Sequence, residues 1–330
     1  LQQPLLIENS ISQTTNCCIK ASTPKGMANP FAIQRHSGRI PVFTFNWRDD
    51  PRKDQAWYDK MKEKKDPVTV AQEIDCDYSA SVEGVLIPSD WVQSCIDALQ
   101  RLGIDASGVK SAALDVADEG KDKNAFAARY GVSLTYLEEW SGVGSSIFKT
   151  TEKTFMLCDA FGCKTFQFDS DGLGAAVRGD SEVINERDDR KGAQREAIPF
   201  RGSESPVNKD AEYLKSDKAD KDERPRTNGD LFANRKAQGW WALRRRIEIT
   251  HWAITEGRPY DQDDILSIPK DLPNRDKLVS ELSQPTYTIN NAGKILVNKQ
   301  PDGMPSPNLA DAVMILLAPQ EVVSKGWFSM

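Results

Sequence analysis

Acidic residues fall at three points where apolar segments end or pass. Asp115 closes the apolar run "SAAL", with Asp118 and Asp122 shortly after it. Asp169 and Asp171 close "KTFQFDSD", in which Phe166 and Phe168 alternate with polar neighbours. Asp311 lies within "SPNLADAVMILLAP", between Leu309 and the apolar stretch 313–317. An unpaired carboxylate is costly to desolvate, so acids at the rim of a core are either solvated or face something positive. Each has an ordinary explanation: a strand-end acid can cap a turn, and a helical acid can lie on an exposed face. Asp311 fits that explanation least well, because the small neighbours Ala310 and Ala312 would let its helix pack closely on a sheet.

Together the acids favour one chemistry. Open α/β sheets bind ligands beyond the carboxyl ends of their strands. Adjacent parallel strands ending in Asp115 and Asp169 would bring both acids there, and a crossing helix would add Asp311. Converging carboxylates repel one another, and hard divalent cations such as Mg²⁺ relieve that repulsion through oxygen ligands. Two such ions about 4 Å apart serve phosphodiester hydrolysis. Gly172 and Gly174 leave room beside the acids for a bulky phosphodiester. The same "DSDGLG" imitates a dinucleotide-binding turn, but the third glycine of that fingerprint is replaced by Val177.

These acids need elements to carry them. "SAALDVA", "NAFAARYG" and "SLTYLEEW" are strands, 147–160 is a helix, and "KTFQFD" is a fourth strand. That order predicts an α/β domain, a mixed sheet with helices on its faces. "LFANRKAQGWWALRRRIEITHWAI" is a long amphipathic helix. "QPTYTINNAGKILVNKQ" is a hairpin turning at 290–293. "SPNLADAVMILLAP" is a helix that Ser306 caps ahead of Pro307 and Pro319 follows. Residues 1–60 give two strands, "NCCIKAST" and "IPVFTFNW", around a turn cluster, and a charged exposed helix follows them. Residues 180–236 are dense in charge and poor in large apolar residues, the composition of a solvated insertion.

Composition excludes other chemistries. The 330 residues are 39% hydrophobic and 28% charged, which describes a globular protein of one large or two ordinary domains. No apolar run reaches membrane-spanning length. The chain opens on Leu without a charged-then-apolar leader, so the expectation is a fragment or processed chain lacking a signal peptide. Six cysteines in no regular framework suggest a reducing compartment, and two histidines argue against zinc. There is no Gly-x-Ser-x-Gly elbow for a serine hydrolase. A net charge of −6 confines any nucleic-acid contact to a local patch.

In this order, "LDVADEG", "FQFDSDGLGAAV" and "SPNLADAVMI" resemble the C-terminal nuclease domain of tailed-bacteriophage large terminase subunits. Upstream, "VAQEIDCDYSASVEGVLIPSDWV" is similar to the segment leading into that nuclease. "CCIKASTPKGMANPF" and "RIPVFTFNWRDDPRK" are similar to the last strands of the terminase packaging ATPase. The resemblance implies an RNase H-like mixed sheet flanked by helices over 61–330, with a C-terminal β-hairpin insertion. It also implies a short N-terminal remnant of a P-loop ATPase domain over 1–60. It implies Mg²⁺ or Mn²⁺ ligation by Asp115, Asp169 and Asp311, with Asp118 and Asp171 as auxiliary acids. "STP" at 22–24 resembles the motif coupling ATP hydrolysis to DNA movement. No P-loop is present, so the chain alone is not expected to hydrolyse ATP.

The function implied is metal-dependent endonucleolytic cleavage of double-stranded viral DNA during packaging, in the cytoplasm of an infected bacterial host. The family's partners are the portal protein and the small terminase subunit, and the isolated chain is expected to be a monomer. Arg235, Lys236, Arg244, Arg245 and Arg246 are the candidate phosphate grips. A solvated helix face with aromatic packing through Trp240 and Trp241 explains those cations equally well. His251 reads as a packing histidine. The alternatives are a DNA-translocation or portal-docking module without cleavage, and another RNase H-like nuclease or integrase.

Overall fold

The computed structural model describes residues 19–21, 31, 34–35, 39–64, 74–76, 84–117, 122–213, 227–289, 294–301 and 304–321. The chain divides into two compact units, 1–85 and 86–330.

In the first unit, a short 3-10 turn at Trp47–Asp49 precedes helix α1, Gln55–Lys64. Trp47 stacks on Tyr58 at 4.7 Å between ring centroids, and the Tyr58 hydroxyl donates to Asp75 at 2.9 Å. The strand expected at "IPVFTFNW" does not form. Residues 41–46 are irregular, and Phe43 and Phe45 are exposed. Alternation alone makes no strand without a neighbour to pair with, and none stands beside it among the described residues. Most of "NCCIKAST", and "STP" with it, lies outside the described residues.

The second unit begins with two short helices, α2 (Ser89–Ser94) and α3 (Ala98–Leu102), and then builds one sheet. Its strands are β1 (Lys110–Asp115), β2 (Lys123–Tyr130), β3 (Ser133–Ser141), β4 (Thr165–Asp169) and β5 (Glu196–Phe200). Their spatial order is β3-β2-β1-β4-β5. The first three pair antiparallel, while β4 runs parallel to both β1 and β5. Helices α4 (Ile147–Phe161) and α5 (Ala176–Asn185) follow β3 and β4. Further on come α6 (Asn228–Leu231), α7 (Arg235–Glu256), α8 (Arg275–Leu282), the hairpin β6 (Thr286–Ile289) and β7 (Ile295–Asn298), and α9 (Asn308–Leu317).

The sheet separates two cores, and the period of two decides which residue enters which. Ala112, Leu114, Phe166 and Phe168 face Phe155 and Cys158 of α4 and Val177 and Ile184 of α5. Ala113, Ala125 and Ala127 face the other way, towards α7, α8 and α9. Gln167, between the two phenylalanines, shares that second face and donates to the Leu316 carbonyl of α9 at 3.3 Å. The helix α9 is wholly buried and, apart from Asn308 and Asp311 in its first turn, apolar. Small residues on both partners, Ala310 and Ala312 against the sheet alanines, let it lie close.

Three expectations need correction. The first part of 180–236 is not a solvated insertion: it contains the end of α5 and the edge strand β5. That strand is short and carries Pro199, which only an edge tolerates, so its signal is faint. The long helix starts at Arg235, behind an Asn234 cap that accepts the Ala237 N–H at 2.8 Å. Leu231 ends a separate turn. Ser306 does not cap α9: its cap position is Pro307, with no side-chain bond. The hairpin turn 290–293 and residues 214–226 lie outside the described residues. No helix among the described residues is long and apolar enough to cross a membrane.

Candidate functional site

The face assignment made above for Ala113 and Gln167 extends by one more residue pair. Asp115 follows Ala113 by two, and Asp169 follows Gln167 by two. Both therefore point to the face covered by α9, at the C-terminal ends of adjacent parallel strands. The register pairs Ala113 with Gln167 and Leu114 with Phe168, so the two acids sit at the next step. From above, the first turn of α9 presents Asp311. Three acids from three elements thus meet at one end of the sheet.

Asp115 is 7% exposed, and its carboxylate accepts no hydrogen bond among the described residues. Burial drives its carboxyl well above the usual range, and Asp311, Asp169 and Asp122 push it the same way while Lys299 opposes. Asp311 is 2% exposed and is also raised by burial, against the pull of Lys299 and Lys236. The indole N–H of Trp240 lies beside it without meeting hydrogen-bond geometry. Asp169 is half-buried and raised by burial, although its Oδ1 accepts the Asp171 backbone N–H at 3.0 Å. The buried amide of Asn124 anchors the chain beyond β1, its Oδ1 accepting the Ala117 N–H at 3.0 Å.

The cation at this site is Lys299, which the sequence reasoning missed. It follows β7, and the period of two puts it on the side of Ile295 and Val297, which face the core. Its ammonium hydrogen-bonds Asp311 Oδ2. Burial lowers its affinity for a proton, but Asp311 and Asp115 outweigh that and leave it raised. That inward parity was the available signal. The three carboxyls outnumber the ammonium groups of Lys299 and Lys236 that act on them, and oxygen donors of this kind suit hard divalent cations. Among the described residues no three His, Cys, Asp or Glu side chains already stand as a closed ligand set.

Asp171 is turned to other work. Its carboxylate accepts the Ser203 N–H at 3.0 Å and the Ser203 hydroxyl at 2.9 Å, which fixes the turn after β5. Asp118 lies outside the described residues. Gly174 answers to the backbone rather than to a ligand: a Cβ there would stand 1.8 Å from the Asp169 carbonyl oxygen.

The five candidate phosphate grips separate. Arg244 is a correction. It is 7% exposed, between the rings of Trp91 and Trp241 at 5.0 and 4.8 Å, and its Nε donates to the Leu86 carbonyl at 2.9 Å. A guanidinium so enclosed cannot meet a duplex. Arg246 is a second correction, since its Nη1 donates to the carbonyls of Asp263 and Ile265. Arg245 is exposed and pairs with Glu248 at 3.0 Å. Arg235 is half-buried over the Phe200 ring at 5.0 Å. Lys236, also half-buried, is close enough to Asp311 to favour its ionised form. His251 packs as expected: it stacks on Trp91 at 5.9 Å, with Nδ1 2.8 Å from the Ser94 hydroxyl.

Comparison with solved structures finds the nuclease domain of the large terminase subunit gp2 of bacterial virus Sf6. The two chains are 32% identical, with a TM-score of 0.62, and the match covers 72% of this chain and 99% of that one. A mutant of that domain with manganese and β-thujaplicinol matches at the same identity, coverage and TM-score. A mutant with calcium matches at 32% identity and a TM-score of 0.61, over 72% of this chain and 100% of that one. No protein-family model and no curated protein matches.

Proposed function

The chain belongs to the bacteriophage large terminase family, in its nuclease domain, and on that premise we propose that it is a metal-dependent endonuclease that cuts double-stranded viral DNA during genome packaging. The observation that carries this reading is the convergence of Asp115, Asp169 and Asp311 around Lys299 at the C-terminal end of the sheet.

Asp115, Asp169 and Asp311 are the residues that would hold Mg²⁺ or Mn²⁺, two ions in this proposal. Bound there, the ions supply the charge that lowers the pKa of an attacking water and stabilises the departing 3′ oxygen. The protein's own part is to keep the three carboxylates dry and close. The β1–β4 register fixes two of them, and α9 delivers the third. Lys299 balances part of their charge until cations arrive. Lys236 and Arg245 are the cations we assign to the DNA backbone, which an acidic site must otherwise repel. Nothing in the chain resembles a base-reading module, so cleavage is indifferent to sequence.

By the same family reading, residues 1–60 are the end of the packaging ATPase domain. Its partners are the portal protein and the small subunit, and it works in the cytoplasm of the infected host. The competing reading, a translocation or docking module that does not cut, draws on the lack of a closed ligand set among the described residues.

Supercoiled plasmid incubated with the protein and Mn²⁺ or Mg²⁺ decides between them, with EDTA and Asp169→Asn as controls. Conversion to nicked and linear DNA, abolished by both controls, is the expected result. A folded protein that cuts with neither metal would be a docking module. Cutting that survives Asp169→Asn would put the chemistry on other acids.

A further inference from the structure

Asp115 and Asp169 ride on hydrogen-bonded strands, whose register leaves them little freedom. Asp311 rides on α9, and α9 is held mainly by apolar contact. Such contact is non-directional. It keeps the helix in its slot without fixing rotation and depth to the fraction of an ångström that a metal site demands. Directional contacts must do that, and α9 has few. Near its C-terminal end Gln167 holds the Leu316 carbonyl. At its N-terminal end Pro307 provides no cap.

That end is capped from another helix. Glu281, in the last turn of α8, is 5% exposed, and its Oε2 accepts the Ala310 N–H at 3.0 Å. The Leu309 N–H lies near the same carboxylate and favours its ionised form without meeting hydrogen-bond geometry. Lys277 stands 3.5 Å from its Oε1 and also pairs with Glu139 of β3, which Lys123 of β2 holds at 2.8 Å. The cap is thereby tied to β3 and, through it, to β2, the antiparallel neighbour of β1.

We propose that Glu281 is a positioning residue for the metal site: by bonding the N–H adjacent to Asp311, it sets the rotation and depth of α9 and so the place of the Asp311 carboxylate against Asp115 and Asp169. The proposal rests on the nuclease reading above. Its action runs through the backbone, so an uncharged acceptor of equal length should serve. Glu281→Gln keeps a carbonyl oxygen at the same reach. Glu281→Ala removes it, and Glu281→Asp withdraws it by one methylene.

The test uses the full chain and Mn²⁺, read by calorimetric titration and by the Mn²⁺-induced rise in Tm, with plasmid nicking across a Mn²⁺ series. Outer-shell partners of metal ligands are typically worth 10- to 100-fold in affinity or activity. Glu281→Ala should therefore need about tenfold more Mn²⁺, with cutting recovered at high Mn²⁺, while Glu281→Gln stays close to wild type. A merely architectural role would lower the Tm of the variants and leave the Mn²⁺ dependence of the folded protein unchanged. That result overturns the proposal, as does a Gln variant as impaired as the Ala variant. If Glu281→Ala does not fold, Glu281→Asp decides, since wild-type Mn²⁺ affinity in it overturns the proposal too. A wild-type protein that neither binds Mn²⁺ nor cuts overturns the nuclease reading together with this one. A competent wild type matched by Glu281→Ala removes this one alone.

Discussion

Burial and neighbouring acids raise the Asp115 carboxyl above its ordinary value, and this has a measurable sign. Burial and neighbouring acids raise Asp115 and Asp311 in the fold, so the native state keeps protons that the unfolded chain releases. Their contribution to stability is therefore most favourable below the ordinary carboxylate range and declines as pH rises through it. Measured without metal, Tm against pH should separate wild type from Asp115→Asn increasingly between pH 4 and pH 7, with the variant the more stable at pH 7. Added Mn²⁺ should close the gap. Lys299→Ala removes the counter-charge that hydrogen-bonds Asp311, so its metal-free Tm should fall at pH 7 and its Mn²⁺-induced rise in Tm should exceed that of wild type. The three acids were legible because period-two spacing puts Asp169 on the face opposite Phe166 and Phe168. Lys299 was overlooked, because its one signal is the inward parity it shares with Ile295 and Val297. Arg244 misled for the converse reason: sequence shows its charge and not the two indole rings that enclose it. The Arg244 Nη1 also stands 3.7 Å from Glu248 Oε2, so Arg244→Ala should cost about 3–5 kcal/mol in urea unfolding, as removal of one partner of a buried pair does. Lys236→Ala should instead leave stability nearly unchanged and reduce the salt slope of DNA binding by about one.

Among the elements, the turn after β4 tolerates little change. A methyl group at Gly174 would overlap the carbonyl of Asp169, so the backbone bearing that acid must move. Gly174→Ala should destabilise by about 1–3 kcal/mol, the usual cost of overpacking, and weaken Mn²⁺ binding as well. Calorimetry on the folded variant would separate the two effects. Strands β1 to β4 and helix α4 were legible because they are consecutive, apolar and bounded by turn residues. The edge strand β5 was hidden in charged sequence, because an edge strand needs little apolar surface of its own. "IPVFTFNW" erred in the other direction, since its alternation is clear and its pairing partner is missing among the described residues. The cap of α9 could not be read locally, because Glu281 lies well upstream on a different helix.

At the scale of the whole molecule, all three acids, Lys299 and Glu281 belong to the unit 86–330. That stretch expressed alone should unfold cooperatively and keep Mn²⁺-dependent nicking. Loss of nicking by a folded 86–330 would tie the activity to residues 1–85. The sheet that carries Asp115 and Asp169 is complete by Phe200, whereas Asp311 arrives on the last helix described. A ribosome making this chain therefore releases most of the nuclease fold before the third acid exists. On the proposed nuclease reading, nascent and prematurely terminated chains lack one of the three acids assigned to the metal, so a cell translating the message would be spared cutting of its own chromosome by unfinished protein.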